Sequence, residues 1–375
     1  MSSNLVISLL IAKVAAFFGG TALPGLIGLK LNSTLINQIV KKNKLRSIII
    51  TGTNGKTTTA RLLGSVLSLA KIDYCHNRSG SNLLRGIATT LINQSSLTGK
   101  LKQKFAIFEV DEATVPAAIK ALRPKIVVIT NLSRDQLDRY GEVDTLLNLW
   151  QKSIDTLPKT SLVLVNAADR RLRPLHHPRL RYFGKNRPGL GLKYPSQFHG
   201  KFNYDNLWAV ETIANYLHLD ESLVSLAARS SPPAFGRGEV LALNGENYQI
   251  NLVKNPASYK AVWQMLLDRR HLNQPLLLIL NDLIADGTDV SWIWDVPLAG
   301  LARRRTPVVV SGRRADDLAL RLKYANLKPK LMIIESKIDR AFNRLQTITG
   351  SPKYILPTYT AMLELRHYLK KEPWS

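Results

Sequence analysis

The spacing of apolar and polar residues changes character after Lys44. Before it, Leu5 to Phe18 is almost unbroken in apolar residues, with Lys13 as the interruption. No Lys or Arg precedes this run, so it lacks the basic leader of a signal peptide. It is also shorter than the roughly 20 residues that a bilayer span takes. The run predicts an amphipathic or buried helix ending at Gly19-Gly20. Packing on the body of the protein is preferred over lying on a membrane surface. Beyond Lys44, short β-rich apolar runs alternate with segments of helical period. Strands are expected at Ser47–Thr51, Phe105–Val110, Ile126–Thr130 and Leu162–Asn166, and helices at Lys56–Ala70, Ala113–Ala121 and Thr145–Leu157. A helix at Asn206–Leu217 closes this block. A second alternating block has strands near Leu276–Leu280, Pro307–Ser311 and Lys330–Ile334. Such alternation implies mostly parallel sheets covered on both faces, an α/β class. The Pro-containing stretch Ser230–Phe235 is the expected domain boundary.

The length of 375 residues fits two or three domains at roughly 100–200 residues each. A hydrophobic share of 45% with 21% charged residues excludes whole-chain disorder. The single cysteine, Cys75, excludes an intrachain disulfide and any zinc site built from cysteine alone. Charge changes the picture more: 52 Lys and Arg stand against 27 Asp and Glu, a formal +25. A chain so basic is drawn to polyanions such as nucleic acid, an anionic membrane face or phosphorylated substrates. The basic residues are dispersed, which also suits a solvated surface with no dedicated partner.

The sharpest local signal is Ser47-Ile48-Ile49-Ile50-Thr51-Gly52-Thr53-Asn54-Gly55-Lys56-Thr57-Thr58-Thr59. An apolar strand runs into a Gly-containing turn, and a helix begins at the lysine, as a phosphate loop requires. Gly52 and Gly55 let backbone N–H groups approach phosphate oxygens, and the helix N-terminus adds partial positive charge. Lys56 can reach the terminal phosphates and the Thr57 hydroxyl can ligate Mg²⁺. The general motif asks for a further glycine where this chain has Ile50, so the loop is a shorter variant.

The Thr51–Thr59 segment resembles the ATP loop of Mur ligases, which join amino acids to peptidoglycan precursors. Further segments narrow the resemblance to the MurT group, the ligase-like subunits of lipid II isoglutaminyl synthases. They run from His76 through Asn77, Arg78, Ser79 and Asn82 to Gly86, then Phe108-Glu109-Val110-Asp111-Glu112, Thr130 to Glu142, Asn281 to Asp295, and Ser311 to Asp317. The resemblance covers nearly the whole chain. It implies a Mur ligase-type ATPase domain plus a smaller Rossmann-like C-terminal α/β domain. The expected division is residues 1–45 as a helical segment, 46–229 as the ATPase domain and 230–375 as the MurT-type domain. The implied reaction activates the α-carboxylate of D-glutamate in the lipid II stem peptide with ATP, as an acyl phosphate. Ammonia from a GatD-like glutaminase partner then gives D-isoglutamine.

The resemblance also implies roles for residues. Gly52, Thr53, Asn54, Gly55, Lys56, Thr57 and Thr58 would bind ATP, with Asn131, Asp169, Asn203 and Asn206 near the nucleotide. Asp169 matches only the last residue of an Asn-Ala-Asp-Asp motif, since Ala168 replaces the first aspartate. Asn203 equally suits a helix cap. Thr57 and Glu109 would hold Mg²⁺. Glu109 ends an apolar strand, where α/β sheets place ligand groups, although Asp111 and Glu112 stand beside it. Asn77, Ser79, Asn82 and Arg85 would face the substrate. Arg237 would reach the phosphates from the second domain or serve as an interdomain ion pair. Asn281–Asp295 holds Asp282, Asp286, Asp289 and Asp295. This density suits a metal loop or turn chemistry around Gly287; the resemblance implies a third role, an aspartate that completes the partner's Cys–His centre. Asp289 is the residue in the matching position.

Two departures matter. Gln136 stands where ordinary Mur ligases carry histidine, which favours the MurT group. The zinc ribbon of many MurT proteins has no counterpart between Tyr182 and Asn203, so no zinc is expected. The rival enzyme reading is a Mur or folylpolyglutamate-type ligase that adds an amino acid. A basic nucleic-acid-binding ATPase is weaker, since no finger, helix-turn-helix or aromatic–basic RNA motif is present, and no nucleic-acid partner is expected. The expected setting is cytoplasmic, with peripheral contact at the inner face of the plasma membrane, where positive charge would meet pyrophosphate-bearing lipid II.

Overall fold

The computed structural model describes residues 3–16, 22–78, 81–132, 143–184, 201–230 and 236–369. Within these ranges the side chains of Ser3, Val143, Lys201, Phe202, Asn203 and Arg237 lie outside the description. The chain separates into two compact units that divide at Ser231–Pro232.

The first unit opens with three helices, α1 (Ser3–Ala16), α2 (Leu23–Leu31) and α3 (Leu35–Asn43). Then β1 (Arg46–Thr51) leads into α4 (Lys56–Leu69), followed by β2 (Tyr74–His76), α5 (Leu84–Gln94) and β3 (Phe105–Glu109). Next come α6 (Val115–Leu122), β4 (Ile126–Ile129), α7 (Val143–Ile154), β5 (Leu162–Asn166) and β6 (Leu180–Phe183). Two helices close the unit, α8 (Lys201–Tyr216) and α9 (Glu221–Ser230). The strands form one sheet in the order β2-β3-β1-β4-β5-β6, and every pairing in it is parallel. Ile48, Ile49 and Ile50 of β1 are buried, as are all of β4 and β5. Such continuous apolar strands are what a parallel sheet covered on both faces demands. Strand order reverses around β1 and β4, so the crevice beyond their C-terminal ends is the natural ligand position.

Helix α1 packs on α2, α3 and α5, as the preferred sequence reading expected. Helix α8 starts five residues before the expected Asn206. Asn203 and Asp205 therefore sit inside the helix, which removes the capping role considered for Asn203.

The second unit holds a hairpin, β7 (Arg237–Leu243) and β8 (Glu246–Asn251), then α10 (Pro256–Asp268), β9 (Leu276–Ile279) and β10 (Val308–Ser311). It ends with α11 (Ala315–Tyr324), β11 (Met332–Ile334), α12 (Ile338–Gln346), β12 (Lys353–Pro357) and α13 (Tyr359–Tyr368). Its sheet runs β11-β10-β9-β12-β8-β7, parallel except for the β7–β8 hairpin. Trp263, Tyr354, Leu278 and Val310 anchor one face and Phe342, Ile355, Met362 and Leu365 the other.

Candidate active site

Strand β1 delivers Thr51 to a turn that only glycine can make. Gly52 and Gly55 have φ of 120° and 88°. A Cβ on Gly52 would lie 2.3 Å from Thr130 Oγ1 and 2.5 Å from the Asn131 carbonyl oxygen, and one on Gly55 2.3 Å from Asn206 Oδ1. Both residues are held by their lack of a side chain as well as by backbone conformation. The turn ends at Lys56, the first residue of α4, whose first-turn N–H groups have no intrahelical partner. The arrangement is a cradle at a helix N-terminus and suits phosphate.

The loop after β4 shapes this cradle. The Thr53 N–H donates to the Asn131 carbonyl at 2.9 Å and the Asn54 N–H to Asn131 Oδ1 at 3.0 Å. Asn131 Nδ2 in turn donates to the Asn54 carbonyl at 2.9 Å, and Thr130 Oγ1 to the same oxygen at 2.6 Å. Asn131 therefore fixes the loop's shape, with both ends of its amide committed to Asn54. Asp169 is buried and accepts from the Leu132 N–H at 2.7 Å and from Arg171 Nε at 2.9 Å, so it pins the chain just past Asn131. Asn206, on α8, is buried against Gly55 and accepts from Thr59 Oγ1 at 3.2 Å.

Thr57, Glu109 and His76 meet where β1 and β3 end, and Lys56 pairs with Glu112. Thr57 Oγ1 donates to Glu109 Oε2 at 2.8 Å. The other Glu109 oxygen, Oε1, lies 3.3 Å from His76 Nε2. Lys56 Nζ donates to the Gly52 carbonyl and, at 3.1 Å, to Glu112 Oε2. Of the three adjacent acids, Glu109 is the one beside Thr57. Glu112 is buried against Lys56, and Asp111 accepts from the Ala113 N–H at 3.3 Å to start a short 3-10 turn. A threonine hydroxyl touching a carboxylate is an all-oxygen donor set, which fits a hard divalent cation such as Mg²⁺. Among the described residues no group of three or more His, Cys, Asp or Glu gathers as a cage. Mg²⁺ commonly takes only one or two carboxylates and completes its shell with phosphate and water.

Asn77, expected to face substrate, is buried and spends its amide on the backbone. Its Oδ1 accepts from the Glu109 N–H at 2.9 Å, and its Nδ2 donates to the Glu109 and Ser81 carbonyls at 2.9 and 3.0 Å. It positions Glu109. Asn82 is half-buried beside it, and Arg85 is exposed on the first turn of α5. Ser79 and Gln136 lie outside the described residues, as do the side chains of Asn203 and Arg237. Sequence reasoning missed Glu112 as the partner of Lys56 and His76 as a neighbour of Glu109. Their closeness to Glu109, in sequence and across the β2–β3 pair, was the available signal. Cys75 is buried and free, as a structural cysteine should be.

In the second unit the four aspartates after β9 separate by environment. Asp286 is buried and binds Thr360 through both oxygens, accepting from its N–H at 2.8 Å. Asp282 pairs with Arg313 Nε at 3.2 Å and lies 3.8 Å from Arg314 Nη1. Asp289 and Asp295 are exposed. The Ser291 hydroxyl and N–H, the latter at 2.8 Å, hold the Asp289 carboxyl below the usual carboxylate range.

Comparison with known proteins follows this division. The Mur ligase middle domain family matches residues 50–189, and the MurT ligase C-terminal family matches residues 252–362. The MurT subunit of the glutamine-hydrolysing lipid II isoglutaminyl synthase from Streptococcus pneumoniae is 27% identical, over 93% of this chain and 92% of that one. The subunit of the same name from Staphylococcus aureus is 28% identical, over 94% of this chain and 93% of that one. Among solved structures, the MurF ligase from Thermotoga maritima in complex with ADP has a TM-score of 0.69 at 13% identity, covering 92% of this chain and 84% of that one. The fold is shared with Mur ligases.

Proposed function

This chain belongs to the MurT branch of the Mur ligase family, and we propose that it is the ATP-using subunit of a lipid II isoglutaminyl synthase. One observation carries the proposal: an intact phosphate loop, with Lys56, Thr57 and Glu109 assembled, stands in the same chain as a MurT-type C-terminal domain. In this reading residues 46–229 bind and split ATP, residues 230–375 face a GatD-like glutaminase, and residues 1–45 form a helical segment.

The chemistry follows from the groups present. A carboxylate is a poor electrophile, and transfer of the ATP γ-phosphoryl group to its oxygen creates a leaving group. The Gly52–Gly55 cradle and the α4 N-terminus hold the phosphates. Lys56 moves from Glu112 to the phosphate oxygens and offsets their charge. Thr57 Oγ1 and the Glu109 carboxylate would hold Mg²⁺, which supplies further charge neutralisation when bound. Asn77 keeps Glu109 in place, and Asn131 keeps the loop open. Ammonia then attacks the acyl carbon, the C–N bond forms, and inorganic phosphate leaves with the carboxylate oxygen that it acquired. Catalysis here is positioning and charge stabilisation, with no covalent bond to the protein. Asp289, exposed and ionised, is the residue proposed to meet the partner's catalytic histidine.

The test is an amidation assay with lipid II, ATP and glutamine, read by mass spectrometry. Product is expected when the chain is co-purified with its glutaminase, or alone with free ammonia. It should vanish with Lys56→Ala. Attachment of a free amino acid, without amidation from either nitrogen source, would place the chain among the amino-acid-adding ligases.

A further inference from the structure

Helix α1 is mostly apolar, with Lys13 on one flank, yet only one side is covered. Leu5, Ser8, Leu9, Ala12 and Ala15 are buried against the body of the first unit. Ile7, Leu10, Ile11 and Val14 recur at the i, i+3, i+4, i+7 spacing of one helical face, and each is 42–56% exposed. A mostly apolar helix is normally buried on most sides. Helix α2, packed on α1, adds exposed Leu26 and Leu31. Scattered exposed leucines need no explanation, but a stripe of four on one face, joined to a second helix, marks an interaction surface.

The charge of the helices that carry and support this stripe selects its partner: α1 to α3 hold Lys13, Lys30, Lys41 and Lys42 and no Asp or Glu. The sequence has no Asp or Glu before Asp73, against nine Lys and Arg. Lys30 is exposed on the last turn of α2, and Lys41 and Lys44 are exposed at the end of α3. A second copy of this surface would bring cations against cations. A bilayer with anionic headgroups satisfies both features, the stripe entering the acyl boundary and the lysines meeting the headgroups. At about 1.5 Å per residue, the 14 residues of α1 make a rod too short to cross a bilayer. No helix among the described residues is long and apolar enough to cross. We infer that the α1–α2 face is a monotopic docking surface that seats the protein on an anionic lipid bilayer. It would hold the ATPase unit at the surface where a lipid-linked substrate resides. That last clause rests on the proposed function, but the docking does not, and it can be measured without ATP or lipid II.

The experiment is co-sedimentation of the full chain with vesicles of phosphatidylglycerol and phosphatidylcholine, and with phosphatidylcholine vesicles alone. Binding should be strong on the anionic vesicles, weak on the neutral ones, and reduced by salt. Leu10→Ser with Val14→Ser should lower the affinity by about tenfold or more. Lys30→Ser with Lys41→Ser should weaken binding to the anionic vesicles alone. Leu226→Ser with Leu320→Ser, two exposed apolar positions elsewhere, should bind as the parent does. All substituted residues are exposed, so unchanged circular dichroism is expected, and the lysine pair gives a readout that leaves the apolar stripe intact. No binding to vesicles, equal binding to both kinds, or indifference to the α1 and lysine changes would overturn the inference. A dimer in solution that the α1 changes dissolve would assign the face to a second copy instead.

Discussion

Glu112→Gln isolates the link between the phosphate loop and its ligand. Lys56 Nζ and Glu112 Oε2 are 3.1 Å apart, with side chains 11% and 10% exposed. At an effective dielectric of about 20 the gross attraction is about 5 kcal/mol. Losing one partner of a buried pair costs about 3–5 kcal/mol, because the other charge stays behind uncompensated. Glutamine keeps the shape and a carbonyl that can accept from Lys56, so the lower end applies, about 3 kcal/mol. The Trp150 Nε1–H donates to the Glu112 main-chain carbonyl at 2.9 Å, which the substitution leaves intact. In a domain of this size about 1 kcal/mol shifts the melting temperature by roughly 2–4 °C, so the first unit should melt roughly 6–12 °C lower. With saturating Mg²⁺ and a non-hydrolysable ATP analogue, the phosphates become the counter-ion of Lys56, and the deficit should shrink to less than about half. Differential scanning calorimetry with and without the analogue reads both numbers. An equal deficit in the two conditions would refute the transfer of Lys56 from Glu112 to phosphate.

Other expectations concern the metal, the partner and the cysteine. Thr57→Ala and Glu109→Gln should each raise the Mg²⁺ concentration for half-maximal ATP-dependent amidation by about ten- to a hundredfold, measured by Mg²⁺ titration of the initial rate. Asp289→Asn should abolish amidation when glutamine is the nitrogen donor and leave it intact with free ammonia, a split that an ATP-site defect cannot produce. Burial pushes the Cys75 thiol from 9.0 up to about 11, so a thiol reagent at pH 8 should label it only after unfolding. The sign is that of a raised folded value: the contribution is full below pH 9.0 and is lost as the pH rises through about 11, readable in denaturant melts.

Much of this protein was legible because its central strands are almost wholly apolar. Ser47–Thr51 and Leu162–Asn166 stand out in the sequence, since a parallel sheet buried on both faces leaves no polar alternation to confuse them. Strand β2 spans only Tyr74–His76 and β6 is largely exposed on its edge, so neither builds a run long enough to notice. The β7–β8 hairpin had a signal that went unused: Asn244-Gly245, both with positive φ, joins the strands in a two-residue turn. At the site, the sequence points to residues that the fold gathers, while the hydrogen bonds each one makes are visible only in the fold. Asn77, Asn131 and Asp169 lie in motifs that point at ligands, and each is hydrogen-bonded to a main-chain group of a neighbouring segment. Sequence spacing cannot separate a residue that touches a substrate from one that holds its neighbour, because both need the same donors in the same loop. The four aspartates after β9 likewise look alike until burial divides Asp286 from Asp289.

The central claim is that the phosphate loop activates a carboxylate. The most direct test places heavy oxygen in the D-glutamate α-carboxylate of lipid II and follows it through one round of amidation with ATP and ammonia. If the carboxylate takes the γ-phosphoryl group, one heavy oxygen must leave with the inorganic phosphate and one must remain in the amide. Phosphate released without the label, while the amide still forms, would contradict an acyl phosphate and the role assigned to Lys56, Thr57 and Glu109.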